Sequence, residues 1–332
     1  LDDEMAAHLR ENLDLVLNSA GLTNFTPSLE ASLNANTQGP RYVQAFVRSC
    51  RKAAMAHVST TYVTGRKSGV RSEDEDPRGF YPRRDELKIT FDATRELADC
   101  RESIDAIKRQ ADDQTRRALL SRRTRQKLEE QNRNPNDPVA FAEQFVEERR
   151  RWLRHTLREE GKRRADHWGW NNTYTYSKSL GEQLLLDDNE HILREDGQRV
   201  PLTIIRPAII ESAMQYPEPG WNQGANTSAP ITYLASQGIR FIPSDPKAYL
   251  DVIPVDLVGN GVWLICAGLI AREHKPIYQL GSSERNPVAM RRLIELTSLW
   301  TRKHYSRKAN APAWRKFLAN TLEAVPVSPK RY

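Results

Sequence analysis

The chain has 332 residues, of which 39% are hydrophobic and 28% are charged. This length allows a sizeable core, but the charged fraction predicts that part of the chain forms solvated helices. No apolar run is long enough to span a bilayer and no signal peptide opens the sequence, so we expect a cytoplasmic protein rather than a membrane-spanning one.

The formal net charge is +7, and the pI is near 9.3. This basic balance predicts attraction to anions, such as phosphate-rich small molecules or an acidic membrane face. Nucleic acid is not an expected partner, because basic residues alternate with acidic ones and no basic stripe is interleaved with aromatic residues. Peripheral contact with a membrane stays open, and the sequence leaves the oligomeric state unknown.

The three cysteines, Cys50, Cys100 and Cys266, are odd in number and far apart in the sequence. They lack the spacing of metal ligands, and the histidines have no mutual ligand spacing either. We therefore expect reduced, structural thiols and no metal site.

Three β-rich runs separated by helical patterns predict a Rossmann-like parallel α/β sheet. The runs cover residues 12–19, 56–63 and 200–206, and a helix is expected from Gln38 to Cys50. Ligands of such sheets bind beyond the carboxyl ends of the strands. The short polar stretches after the strands are therefore predicted to carry the site.

A helical insertion is predicted at residues 82–166, which are rich in Arg, Glu, Asp, Gln and Leu. Within it, Phe141, Phe145 and Trp152 recur at helical spacing and form one apolar face. A break at residues 134–138, which contains two prolines, separates two helical segments. We interpret the insertion as a hairpin of helices, with a coiled coil or a membrane-surface segment as alternatives.

The chain is thus expected to contain four segments. These are a first Rossmann-like part (1–81), the insertion (82–166), a second Rossmann-like part with substrate-binding loops (167–260) and a mostly helical region on the substrate side (261–332).

Tyr174 and Lys178 are four residues apart, which places a phenol and an ammonium on the same face of one helix. Reduction of a carbonyl needs a proton donor, and a tyrosine donates more readily when a nearby cation lowers its pKa. Thr60 follows a predicted strand, where its hydroxyl can hydrogen-bond a substrate carbonyl. Each pattern alone also fits a structural role, as a solvated helix face or as an ordinary strand residue.

Five motifs follow one another along the chain: Asn18-Ser-Ala20, a helix opened by Asn36-Thr-x-Gly, Val-Ser-Thr60, Tyr174-x-x-x-Lys178 and Arg206-Pro207. In this order they resemble the extended short-chain dehydrogenases. Longer motifs are His57-Val-Ser-Thr60, Asn172-Thr-Tyr-Thr-Tyr-Ser-Lys178 followed by Glu182, Pro217-Glu-Pro-Gly-Trp221 and Asp251-Val-Ile-Pro-Val-Asp256. These more narrowly resemble the fatty acyl-CoA reductases of the bacterial type.

This resemblance implies a catalytic role for Thr60, Tyr174 and Lys178. Tyr174 would be the general acid, Lys178 would lower its pKa and hold the nicotinamide ribose, and Thr60 would orient the thioester carbonyl. The implied cofactor is NADPH. Its implied contacts are Asn18, Ser19, Ala20, Asn36, Tyr174, Lys178, Arg206 and Pro207.

The implied reaction is the NADPH-dependent reduction of fatty acyl-CoA to a fatty aldehyde, a primary fatty alcohol or both, as in wax ester biosynthesis. The apolar face of the insertion would then cover the acyl chain or touch a membrane from which acyl substrates arrive. Two alternatives remain. One is another extended short-chain dehydrogenase, of the nucleotide-sugar epimerase or steroid dehydrogenase type, and the other is a degenerate, non-catalytic scaffold.

The sequence departs from the family in lacking a turn of the Thr-Gly-x-x-Gly-x-x-Gly kind, whose backbone approaches the cofactor pyrophosphate. Because the chain begins at Leu1, we expect an N-terminally truncated sheet that lacks its first βαβ segment. Such a fragment is expected to be inactive by itself. The missing part would also carry the residue that distinguishes NADPH from NADH.

Overall fold

The computed structural model describes residues 2–67, 69–224, 227, 229–237, 239, 241–245, 248–308, 310–314, 316–317 and 324–328. The chain divides into two compact units. The first comprises Leu1–Ile204 and Gly268–Ile277, and the second comprises Ile205–Ala267 and Tyr278–Tyr332.

The helices and strands, in chain order, are α1 (Asp3–Asn12), β1 (Leu15–Asn18), α2 (Leu29–Leu33), α3 (Gly39–Arg48), β2 (Ala54–Val58), α4 (Arg84–Leu87), α5 (Ala93–Asp112), α6 (Gln114–Glu130), α7 (Pro138–Trp168), α8 (Thr173–His191), β3 (Leu202–Pro207), β4 (Ile209–Glu211), α9 (Ala229–Ser236), β5 (Phe241–Pro243), β6 (Tyr249–Leu250), β7 (Val252–Pro254), α10 (Val255–Ile270), β8 (Ile277–Leu280), β9 (Val288–Ala289), α11 (Met290–Arg307) and β10 (Val325–Val327). A π-helical turn (Asn34–Gln38) joins α2 to α3, and a 3-10 turn (Thr61–Thr64) follows β2.

Strands β1, β2, β3 and β8 form the central sheet, in that order across it. Strands β1 and β2 are parallel, and Asn18 lies beside His57 at their carboxyl ends. Val47 of α3 and Leu185 of α8 pack with Met55 of β2 in one buried apolar cluster. Helices therefore pack on a parallel sheet of apolar strands, which confirms the predicted α/β class.

Strand β2 ends at Val58, whereas the sequence predicts strand structure as far as Val63. The side chain of Thr60 accepts a hydrogen bond from the backbone N–H of Tyr62 at 3.2 Å and caps the 3-10 turn. Gly65 ends this turn at a φ of +59°, which glycine adopts without steric cost. The prediction was wrong here because a side-chain cap competes with strand propensity.

The helix predicted from Gln38 to Cys50 is the second half of a longer helical stretch. That stretch begins after Ser28, whose hydroxyl accepts from the backbone N–H of Ala31, and it continues through the π-helical turn into α3. Asn36, Thr37 and Gln38 of the π-helical turn are buried.

Helices α4 to α7 occupy the predicted insertion, which confirms its helical character and the break before Pro138. Its predicted apolar face packs within the insertion itself. The Arg125 guanidinium lies 5.9 Å from the ring centroid of Phe141, and that of Arg116 lies 4.6 Å from Trp152. Helix α6 thus packs along α7, while the rings of Phe141, Phe145 and Trp152 stay partly exposed, so the predicted cover over an acyl chain stays a prediction.

The insertion also packs on α8, through a buried aromatic cluster. The ring of Phe91 lies 5.8 Å from that of Trp170, which in turn lies 5.4 Å from Tyr176. The two ends of the insertion meet, because the backbone N–H of Arg83 donates to the carbonyl oxygen of Trp168 at 3.1 Å. The insertion therefore leaves and rejoins the first unit at one place.

Short strands form three pairs in the described part of the second unit. Strand β4 pairs in parallel with β7 and β5 with β10, whereas β6 and β9 are antiparallel. The Asp256 carboxylate accepts hydrogen bonds from the successive backbone N–H groups of Met214, Gln215 and Tyr216, and these bonds lower its pKa to about 2. Asp256 thus orders the segment that leads into the predicted Pro217–Trp221 loop.

Cys50, Cys100 and Cys266 are free, buried thiols, in agreement with their predicted structural role. Over the described ranges, no helix is both long and apolar enough to cross a membrane.

The segment boundaries expected after residues 166 and 260 fall inside α7 and α10, so the two units divide the chain at other positions.

Candidate active site

The carboxyl ends of β1 and β2 form the floor of the candidate site. Asn18 is buried there, and its Oδ1 accepts a hydrogen bond from the backbone N–H of Ala20 at 3.3 Å. The following residues, from Ser19 to Gly21, are exposed. An anchored strand end thus continues into an accessible turn, as expected where ligands bind such sheets.

Helix α8 presents Tyr174 and Lys178 to this floor. The helix is capped by Asn172, whose Oδ1 accepts from the backbone N–H of Thr175 at 2.9 Å. This cap starts the helix so that Tyr174 and Lys178 follow in its first and second turns, on the same face. The structure therefore brings the predicted Tyr-x-x-x-Lys pair to the strand ends.

Lys178 is only 3% exposed, and its Nζ donates to the carbonyl oxygen of Val58 at 2.9 Å. Burial lowers the pKa of this ammonium to about 8, although the nearby Glu182 carboxylate acts in the opposite direction. The cation therefore titrates close to neutrality at the end of β2.

Tyr174 is partly buried, and burial raises the pKa of its phenol. The nearby Thr60 side chain lowers this pKa, and the charge of Glu182 raises it. Thr60 and Tyr174 thus lie near each other, although they are far apart in the sequence. The lowering of the Tyr174 pKa by Lys178 stays a prediction, since the Lys178 ammonium donates to Val58 in this structure.

Asn36 holds the loop beneath this pair. Its Oδ1 accepts from the backbone N–H of Leu22 at 2.8 Å, and its Nδ2 donates to the Leu22 carbonyl and to Ser177 Oγ, both at 3.0 Å. Asn36 is fully buried. The structure therefore places this predicted cofactor residue behind the loop rather than on its accessible surface.

Two glycines permit close approaches around Asn36. A Cβ on Gly181 of α8 would lie 2.3 Å from the Asn36 carbonyl oxygen, so only glycine lets α8 pack this closely on the π-helical turn. A Cβ on Gly21 would lie 3.1 Å from both Asn36 Oδ1 and Lys178 Nζ. The exposed turn after β1 therefore passes directly over the lysine ammonium.

An exposed aromatic ring adjoins the proton donor. Phe25 is 64% exposed, and its ring centroid lies 6.0 Å from that of Tyr174. The Asn24 side chain accepts from the backbone N–H of Thr26 at 2.9 Å and so turns the loop at this point. This arrangement keeps an apolar surface open to solvent beside Tyr174.

The structure shows three residues at the site whose importance the sequence reasoning missed. His57 is fully buried beside Asn18, Glu182 acts on both Lys178 and Tyr174, and Phe25 flanks the phenol. The four-residue spacing between Lys178 and Glu182 could have indicated the second of them. No sequence pattern marked Phe25.

The opposite face of α8 carries a second buried polar cluster. The phenol of Tyr176 donates to Glu96 Oε1, which also accepts from Arg164 Nη1 at 2.9 Å. Cys100 Sγ lies 3.1 Å from the Tyr176 phenol, and burial raises the pKa of this thiol to about 12. This cluster connects α5 and α7 of the insertion to α8.

Arg206 and Pro207, also predicted to contact the cofactor, end strand β3 and belong to the second unit. Both are buried.

Comparison with known proteins identifies the family to which the chain belongs. The model of the male sterility protein, an NAD-binding family, matches residues 1–262. A probable fatty acyl-CoA reductase of Arabidopsis thaliana is 28% identical over 91% of the chain and 52% of its own length. An alcohol-forming fatty acyl-CoA reductase of Simmondsia chinensis is 30% identical over 91% of the chain and 53% of its own length. The chain spans about half the length of these relatives.

Among solved structures, UDP-glucuronic acid 4-epimerase of Bacillus cereus in complex with NAD is 11% identical, with a TM-score of 0.49 over 98% of the chain and 66% of the epimerase. A similarity of this size supports no statement about substrate. The match of the family model to most of the chain does carry a conclusion: the chain belongs to the male sterility protein family, which is NAD-binding, and it is related to fatty acyl-CoA reductases.

Proposed function

We propose that the chain is the catalytic part of an NADPH-dependent fatty acyl-CoA reductase, which converts fatty acyl-CoA to a fatty aldehyde, a primary fatty alcohol or both. One observation carries the proposal: the Thr60 side chain lies near the Tyr174 phenol at the strand ends, where the Lys178 cation is held on the same face of α8. The names of the plant relatives support the substrate class.

In this mechanism a bound nicotinamide cofactor would supply one hydride for each reduction, first to the thioester carbonyl carbon and then to the aldehyde carbon. Thr60 and Tyr174 hydrogen-bond the carbonyl oxygen as it becomes an oxyanion, and the carbon–sulfur bond then breaks to release CoA and an aldehyde. In a second reduction, Tyr174 gives its proton to the aldehyde oxygen and the alcohol forms. Lys178, as a cation, favours the phenolate that this transfer leaves behind.

The residues after β1 fit a nicotinamide cofactor. The turn from Ser19 to Gly21 is exposed, and a Cβ on Gly21 would fill the space directly above the Lys178 ammonium. Asn18 would hold the start of this turn, while Ser19 and Ala20 would contact the cofactor. Asn36 would act through its hydrogen bonds to Leu22, because it is itself fully buried.

Phe25 supports an apolar substrate. Its ring is 64% exposed beside Tyr174, and a hydrocarbon chain next to the reacting carbonyl would remove this surface from water. A nucleotide sugar carries hydroxyl groups, so it would gain less from contact with an apolar ring than a hydrocarbon chain does. This contact favours the acyl-CoA reductase over the epimerase alternative.

The test is NADPH oxidation, followed by absorbance, with palmitoyl-CoA as substrate. We expect Tyr174→Phe to reduce turnover at least about 100-fold, because general acid catalysis typically contributes this much. The exposed Tyr42 of α3 provides the matched control, and Tyr42→Phe should leave turnover unchanged.

The assay is best run on the full natural protein and on residues 1–332 in parallel, with NADPH and NADH, so that it also tests the predicted cofactor preference and the predicted inactivity of the fragment. A protein that binds NADPH but reduces no acyl thioester would contradict the substrate assignment. Failure to bind NADPH would favour the scaffold. The bacterial type, the cytoplasmic location and a peripheral membrane contact stay predictions.

A further inference from the structure

His57 is a buried histidine that the proposed mechanism does not use. It lies on β2 with no exposed surface, and the parallel register places it beside Asn18. Burial lowers its pKa to about 3, the charge of Lys178 adds to this effect, and hydrogen bonding to the Asn18 backbone opposes it. His57 is therefore neutral at physiological pH.

The hydrogen bonds around Asn18 indicate which nitrogen of His57 carries the proton. The backbone N–H of Ala20 can only donate, so its partner in the Asn18 amide must be the oxygen, Oδ1. The amide nitrogen, Nδ2, then faces His57 Nδ1 at 3.2 Å and donates to it. An Nδ1 that accepts carries no proton, so the proton of the neutral ring is on Nε2, which is buried and has no hydrogen-bond partner within the described residues.

This hydrogen bond fixes the conformation of the exposed turn. Asn18 accepts from the N–H of Ala20 only while its Oδ1 faces Ala20 and its Nδ2 faces His57. The lone pair on His57 Nδ1 favours this orientation of the amide over the one in which Oδ1 and Nδ2 are exchanged. The turn in question runs over the Lys178 ammonium at Gly21. A second positive charge on His57 would lie close to this cation and would remove the acceptor at the same time.

We propose that His57 is a positioning residue, whose neutral Nδ1 orients the Asn18 amide and thereby holds the turn from Ser19 to Gly21 in the shape that binds the nicotinamide cofactor. The identity of the ligand as a nicotinamide cofactor rests on the proposed function. The hydrogen bond between His57 and Asn18 and the tautomer of His57 do not depend on it.

The tautomer can be tested without any ligand. In ¹⁵N-labelled protein, the long-range ¹H–¹⁵N spectrum distinguishes the two neutral tautomers, and His57 is identified among the seven histidines by the signal that disappears in His57→Asn. We expect a protonated Nε2 and an unprotonated Nδ1 that stay constant from pH 5 to pH 8. A protonated Nδ1, or titration of the ring within this range, would overturn the inference.

The positioning role is tested by two substitutions, each of which replaces only one of the two ring nitrogens. In His57→Asn the amide oxygen can take the place of Nδ1, whereas the longer side chain in His57→Gln places its amide near Nε2. We expect the dissociation constant for NADPH, measured by fluorescence, to rise less than about threefold in the first variant and at least about tenfold in the second. The KM for NADPH should follow the same order, with kcat nearly unchanged.

Thermal unfolding of both variants controls for loss of fold. Equal weakening of NADPH binding in folded Asn and Gln variants would show that Nδ1 is not the atom that matters, and it would overturn the positioning role. If the full natural protein bound no NADPH, the proposed function and the cofactor part of this inference would both fail, while the tautomer experiment would still decide the hydrogen-bond arrangement.

Discussion

Helix α8 carries two buried polar clusters on opposite faces, and they differ in how fully their hydrogen bonds are used. On the insertion face, Glu96 accepts from both Tyr176 and Arg164, and Arg164 also donates to the Ser103 hydroxyl at 2.7 Å. On the strand-end face, Lys178 makes one hydrogen bond, to Val58, within the described part of the chain. An ammonium can donate three.

This difference separates a structural cluster from a reactive one. In the insertion cluster, burial raises the pKa values of Tyr176 and Cys100 far above neutrality, so neither group ionises at physiological pH. In the strand-end cluster, burial brings the Lys178 pKa down to about 8. Burial of a polar group is thus not by itself a sign of function. A buried cation with unused donors beside an exposed turn is a stronger one.

The largest expected effect is on stability, at the insertion face. In Glu96→Ala, the buried Arg164 loses one of its two carboxylate partners and Tyr176 loses its acceptor. We expect the free energy of unfolding, measured in urea, to fall by about 3 kcal/mol.

The matched control is Glu143→Ala, which breaks an exposed ion pair with Arg133 on the same insertion. This change should cost less than about 1 kcal/mol. Equal losses in the two variants would mean that the Glu96 cluster does not hold the insertion to α8.

The strand-end face depends on the close approach of α8 to the π-helical turn. In Gly181→Ala the new Cβ would lie 2.3 Å from the Asn36 carbonyl oxygen, so the helix must move. We expect a loss of about 2 kcal/mol in the free energy of unfolding, together with weaker NADPH binding.

The control is Gly259→Ala in α10, where a Cβ would meet no heavy atom within 4 Å. Because alanine has the higher helix propensity, this variant should be unchanged or more stable by up to about 1 kcal/mol. A Gly181→Ala protein as stable as this control would contradict the described packing of α8.

A pH profile distinguishes the two buried clusters of α8, since of these two only the strand-end cluster titrates near neutrality. The Lys178 ammonium is charged below its pKa of about 8, so kcat/KM should fall as the pH rises through 8 and be about tenfold lower at pH 9. Stability should change in the opposite sense. Between pH 8 and 10.5 the unfolded chain holds the lysine proton that the folded chain has lost, so stability from this group rises with pH.

The control for the stability measurement is Lys178→Met. Its free energy of unfolding should lack the rise over this range, and a rise as large as in the wild type would assign the titration to another group.

The smallest expected effect concerns Phe25. We expect Phe25→Ala to raise the KM for palmitoyl-CoA about fivefold, which corresponds to about 1 kcal/mol of lost apolar contact. The KM for butyryl-CoA should change little, because its short chain covers less of the ring.

In the control Tyr42→Ala, which removes an exposed aromatic side chain of α3, both KM values should stay unchanged. If Phe25→Ala raised the two KM values by the same factor, Phe25 would not contact the acyl chain.

Local patterns were enough to predict much of the fold and part of the candidate site. The four-residue spacing of Tyr174 and Lys178 predicts their shared helix face, and the apolar runs before Asn18 and Thr60 predict the adjacent strands whose ends meet. The charge-rich stretch predicts the insertion, because solvated amphipathic helices have that composition.

Contacts between distant segments could not be predicted in the same way. Glu96 and Tyr176 are 80 residues apart, and only the packing of α5 on α8 makes them partners. The role of Asn36 was also beyond the sequence, because a motif does not reveal whether an amide faces a ligand or a neighbouring loop. Strand propensity was misleading at Thr60, where its own side chain caps a turn.

The meeting of the insertion's two ends at Arg83 and Trp168 has a consequence for engineering and evolution. Because the two ends of the insertion are joined by a hydrogen bond, the insertion can be removed there and the ends connected by a short linker. The junction is therefore suited to the exchange of whole modules. The exchange has one requirement. Any replacement module must supply an acceptor and apolar cover for Tyr176, since otherwise a phenol that is now fully buried would face water on the back of the helix that carries Tyr174.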